Sequence, residues 1–136
     1  LAIYWEYSVF ASFRVVIADN IFSRRVRKML MNRKRFIIGL NNPPKISENE
    51  RKHIIRKSIE RQHWKTKCTI AMEEFAELQQ QISKQIRGYE DRVGLLEEMA
   101  DAYICLEFLK SIFDITESDV KRAIDVKLLR ERNNQK

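Results

Sequence analysis

Apolar residues recur through the second two-thirds of the chain at spacings of three and four, the pattern of helices that bury one face. Ile54, Ile55 and Ile59 share a face in a first helix over 47–63. Ser47 with Glu50 three positions on reads as its capping box, and His63-Trp64 closes it. A second helix, over 66–87, carries Ala71, Phe75, Leu78, Ile82 and Ile86 on one stripe and stops at Gly88. After a short turn through Tyr89, Glu90 and Asp91, a third runs to Phe113. Its Leu95, Met99, Ala102, Tyr103, Leu106, Leu109, Ile112 and Phe113 cover a wide arc, which makes it the most buried element. Thr116 followed by Asp119 starts a fourth, with Val120, Ile124 and Leu128 inward, and Asn133 to Lys136 should fray. The short turn makes the second and third helices antiparallel neighbours, each roughly 30 Å long.

The pattern before residue 46 is different. Residues 1–22 alternate across Tyr7, Val9, Ala11, Phe13, Val15 and Ile17, as a strand would, and Glu6, Arg14 and Asp19 interrupt them. That leaves the run well short of the ~20 apolar residues a membrane span requires. The basic cluster follows the apolar part, whereas in a signal peptide it leads. Asn41-Asn42-Pro43-Pro44 is the clearest break, because proline removes backbone donors and forces extended geometry on the residue before it. The expected organisation is a basic and apolar extension of unassigned structure over 1–45 and a helical domain over 46–136. Met31 sits just before Arg33, Lys34 and Arg35, and is the expected natural start.

Composition supports an all-α reading. The 136 residues are 44% hydrophobic, enough for one domain with a real core, and contain only three glycines and two prolines. The net charge of +7 is unevenly spread. Residues 1–35 hold eight Lys and Arg against two acids, whereas the other 101 hold 18 against 17. A basic arm of this kind attracts polyanions without selectivity, but no helix-turn-helix, zinc-finger or RNP pattern accompanies it. Cys68 and Cys105 fall on predicted helices without metal-type spacing, which points to packed, reduced thiols and a cytoplasmic setting.

The candidate chemistry lies in a repeat. Glu73-Glu74-Phe75-Ala76-Glu77 and Glu97-Glu98-Met99-Ala100-Asp101 share one pattern, two acids, a large apolar residue, alanine and a third acid. On a helix, Glu74 and Glu77 lie on neighbouring ridges, as do Glu98 and Asp101. If the two helices are antiparallel, four carboxylates converge, and hard oxygen ligands in that number suit Mg²⁺, with Mn²⁺ as the alternative. Like charges gathered beside a core repel unless a cation neutralises them. A Mg²⁺ ion bridges protein carboxylates to substrate phosphates, so the substrate class indicated is a polyphosphate. Glu73 or Glu97 is placed to orient a water. Lys127 and Arg130 share a face of the last helix and could meet phosphates, with Lys84 two turns beyond Glu77 a further cation. Trp64 offers an indole for stacking, beside His63. Glu60 and His63 also make an ExxH spacing, but a carboxylate di-iron bundle needs a second one and the chain has none.

Glu73-Glu74-x-x-Glu77 followed by Glu98-x-x-Asp101 resembles the EExxE…ExxD signature of the MazG-like, all-α nucleoside triphosphate pyrophosphohydrolases. His63-Trp64, the Ala100-to-Ile104 run and Lys127-Leu128-Leu129-Arg130-Glu131-Arg132 are similar to the short single-domain bacterial and phage members, and the resemblance covers about residues 50–133. It implies an antiparallel bundle of about four helices assembling as a homodimer or homotetramer, with Mg²⁺ on Glu74, Glu77, Glu98 and Asp101. It further implies cleavage of a (d)NTP to the monophosphate and pyrophosphate, with Glu73 helping to activate water and Lys127 and Arg130 contacting phosphates. Lys65 stands where many short members have glycine, and the base is not readable. The alternatives are activity on phosphoribosyl-ATP and a non-catalytic helical interaction module that binds a basic partner through its acidic patches.

Overall fold

The computed structural model describes residues 30–134. Its helices begin and end where side chains or left-handed residues satisfy the free backbone groups of a helix end. Helix α1 covers 30–41, and the chain is irregular from there through Asn42, Pro43 and Pro44. Helix α2 is Glu48–Glu60, opened by Ser47, whose hydroxyl accepts from Glu50 N at 3.3 Å. It ends before His63, which instead opens α3 (Trp64–Ile86) by accepting from Lys65 N on its Nδ1 at 3.2 Å. Gly88, at φ 85°, ends α3 in a Schellman motif, with Gly88 N bonded to Gln85 O and Tyr89 N to Lys84 O. Asp91 starts α4 (Arg92–Ile112), its Oδ1 accepting from Gly94 N at 2.9 Å. Asp114 at φ 53° closes α4, with Ile115 N reaching Lys110 O. Thr116 and Asp119 then exchange hydrogen bonds at the start of α5 (Glu117–Asn134).

The described residues are all-α, with five helices and no strand. The additional helix relative to the four expected is α1. Its apolar residues flank the basic Arg33, Lys34 and Arg35, so no single stripe announces it. The strand expected over 1–22 lies outside the described residues. Internal contacts divide the chain into two units between Pro44 and Lys45, and α2 to α5 belong to the second. Among the described residues no helix is long and apolar enough to cross a membrane.

Within the second unit, α3 and α4 pack along each other and α2 lies on α4, whereas α5 packs extensively on none of them and buries no residue. The facing positions of α3 are Lys67, Ala71, Glu74, Leu78, Gln81 and Gln85. Those of α4 are Gly94, Glu98, Asp101, Cys105, Phe108 and Ile112. Both sets step by four and three, the spacing that keeps one seam of a helix turned to a partner. All twelve are buried or half-buried. Lys67 meets Phe108 and Gln81 meets Gly94, so contacts advance along α3 as they retreat along α4, and the pair is antiparallel. One half of the seam is apolar, with Ala71, Cys105 and Phe108 joined by Ile55, Ile59, Phe75, Leu109 and Ile112. The other half is polar. This seam corrects the sequence expectation for both stripes. Ile82 and Ile86 on α3 and Met99, Tyr103 and Leu106 on α4 are exposed, Ile86 at 81% and Tyr103 at 68%.

Candidate metal centre

The midpoint of the seam carries the acid repeat. Glu74 and Glu77 come from α3 and Glu98 from α4, and each offers an oxygen within 4.8 Å of the other two. Oxygens on opposite sides of a Mg²⁺ ion stand about 4 Å apart, so a small side-chain adjustment closes this set on one ion. Asp101, one turn beyond Glu98, belongs to the same electrostatic neighbourhood, because it helps to raise the pKa of Glu74 and of Glu98.

Burial and crowding act together on these acids. Glu98 is pushed up to about 7, first by desolvation and then by Glu77, Asp101 and Glu74. Desolvation followed by the charge of Asp101 raises Glu74, and desolvation followed by Glu77 raises Asp101. Glu98 Oε2 is buried and accepts no hydrogen bond. A buried carboxylate oxygen without a donor is costly, and a divalent cation would answer both that deficit and the mutual repulsion. The donor set is all carboxylate, the chemistry preferred by Mg²⁺ and Mn²⁺ over softer metals.

The other residues singled out from sequence are placed elsewhere. Glu73 is exposed beside Glu74 and contributes to raising it. His63 and Trp64 lie at the start of α3, about 15 Å from Glu74 along the helix axis. There His63 caps the helix, and Trp64 packs edge-on to Phe113 with ring centres 6.2 Å apart. Lys84 is in the last turn of α3 and lines a shallow groove with Arg87 and Tyr89. Lys127 and Arg130 are exposed on α5, and neither enters an ion pair among the described residues. A groove of about 680 Å³ lies away from the acids, between α2 and the end of α4. Its Lys110 is held by Glu107 and Glu117.

Three seam residues, Lys67, Gln81 and Gln85, escape the sequence reading, while Cys105 is the packed free thiol it expects. Lys67 is 6% exposed, donates to Ser58 Oγ at 2.8 Å, and holds its ammonium 4.5 Å from the centre of the Phe108 ring. Cys105 lies between this lysine and the acids: burial first, then Glu74 and Asp101, push its thiol up to about 11 against the lowering influence of Lys67. Gln81 and Gln85 fill the polar half beyond Glu77. Their signal was the four-three spacing from Lys67, which an apolar count overlooks because four of its six members are polar. No family model, no curated protein and no solved structure matches the chain.

Proposed function

We propose that this chain is a Mg²⁺-dependent nucleoside triphosphate pyrophosphohydrolase that converts a (d)NTP to its monophosphate and pyrophosphate. The observation that carries the reading is the meeting of Glu74 and Glu77 with Glu98 from the neighbouring helix, their oxygens within 4.8 Å, at the positions of the EExxE…ExxD resemblance. Glu74, Glu77, Glu98 and Asp101 would hold the cation, which when bound neutralises phosphate charge and lowers the pKa of water. Glu73, exposed at the rim, accepts a proton from the attacking water and orients it toward the α-phosphorus, and the bond to the bridging oxygen of pyrophosphate breaks. Lys127 and Arg130 are the cations that the resemblance assigns to the phosphate tail, and they lie on α5, apart from the acids of their own chain.

Assembly as a homodimer or homotetramer belongs to the same proposal. The exposed apolar arcs of α3 and α4, and the bare α5, are surfaces that a second copy would cover. Pyrophosphate release from a panel of (d)NTPs, with Mg²⁺, Mn²⁺ or chelator, tests the activity. Release should require the metal and fall about a hundred-fold or more in Glu98→Gln. A folded protein that releases nothing from any nucleotide, phosphoribosyl-ATP included, would refute the enzyme and favour the interaction module.

A further inference from the structure

Among the described residues, three buried side-chain polar atoms find no hydrogen-bond partner: Gln81 Oε1, Gln85 Nε2 and Glu98 Oε2. All three belong to the α3–α4 seam, and two are acceptors. Gln81 is 9% exposed. It lies one turn beyond Glu77 on α3, and its amide nitrogen is 3.1 Å from where a Cβ on Gly94 would stand, one turn before Glu98 on α4. Side chains on a helix lean toward its N-terminus. In an antiparallel pair, Gln81 therefore leans toward the level of Glu77 and Glu98, while Glu98 leans toward the level of Gly94 and Gln81. Two acceptors without donors thus lie about one turn apart on facing helices, at the edge of a carboxylate cluster.

We propose that Gln81 extends the cation site, its Oε1 accepting a hydrogen bond from a water carried by a divalent cation held at Glu74, Glu77 and Glu98. The inference rests on the cation-site reading above and makes it specific. Mg²⁺ sheds its water reluctantly and keeps several molecules when protein-bound. Such waters are strong donors, and the unmatched acceptors beside the carboxylates are the partners they would meet. Gln85 Nε2 is a donor a further turn away and stays outside the site.

The test is calorimetric titration of the full chain with Mg²⁺, paired with thermal melting in chelator, for wild type, Gln81→Leu, Gln81→Met and Glu77→Gln. In the first two variants the unmatched acceptor is gone, so the metal-free protein should melt no lower than wild type. Their Mg²⁺ affinity should fall about ten-fold, as for lost outer-sphere partners. Opposite movement of stability and affinity is the signature, because a glutamine that only packs would lower the melting point and leave affinity alone. Wild-type affinity in both Gln81 variants, with loss in Glu77→Gln, overturns this inference and leaves the carboxylate site standing. No Mg²⁺ binding by wild type overturns both.

Discussion

Glu98 titrates in the wrong range for a surface carboxylate, and its pH dependence has a definite sign. Its folded pKa of about 7 lies above the ordinary value of 4.5. The folded protein therefore holds a proton that the unfolded chain has released. The stabilisation is complete below about pH 4.5 and is lost as pH rises through 7; raised Glu74 and Asp101 act in the same direction. The melting temperature in chelator should fall from pH 5 to pH 8. Mg²⁺ should oppose the fall, because its ligands bind deprotonated. A metal-free melting temperature that rises across this window would contradict the buried acid cluster. Cys105 allows an independent check. With a thiol raised to about 11 and buried, it should alkylate far more slowly at pH 8 than the half-buried Cys68, as mass spectrometry of peptides after a timed iodoacetamide pulse would show. Equal labelling would mean that the seam opens readily.

At the scale of elements, the α3–α4 pair depends on Gly94. A Cβ there would collide with the Asp91 carboxylate that caps α4 and crowd the Gln81 amide. Gly94→Ala improves helix propensity by about 1 kcal/mol but displaces a cap worth about 1 kcal/mol and strains a packed seam, costing a further 1–3 kcal/mol. The net expectation is destabilisation by about 1–3 kcal/mol in denaturant melts. The boundaries of these helices were legible because they are local: Ser47, Gly88, and Thr116 with Asp119 act within a few residues of themselves. The acid repeat was legible for the same reason, since matched spacing on two antiparallel helices fixes who meets whom. The rotation of each helix was not. A count of apolar residues finds Ala71, Phe75 and Leu78 on α3, which are buried or half-buried, but continues the stripe through the exposed Ile82 and Ile86, whereas the pair turns Glu74, Gln81 and Gln85 inward. Hydrophobic period reports where apolar side chains are, and at this seam the inward side is shared with polar groups. The choice of His63 as an ending failed by one element, because its ring serves the helix that follows.

For the whole molecule, the displaced apolar stripes predict association. Met99, Tyr103 and Leu106 lie on the face of α4 turned away from α3, and Ile124, Leu128 and Leu129 on α5 are 48–60% exposed. Sedimentation equilibrium of the full chain should give a mass of two or four protomers, and Tyr103→Lys with Leu106→Lys should shift it toward one while helix content by circular dichroism is kept. A monomeric wild type would remove that expectation. The polar half of the seam has a consequence for protein design. Two antiparallel helices with Leu at positions 74, 81, 98 and 101 would form a continuous zipper, shed the repulsion among the acids, and melt at a higher temperature than the natural chain. Such a variant would be a sturdier scaffold without the acid cluster. The natural sequence stops short of that optimum where its middle turns meet, and the thermostability recovered by the substitutions would measure how much stability the buried acids and amides cost this hairpin.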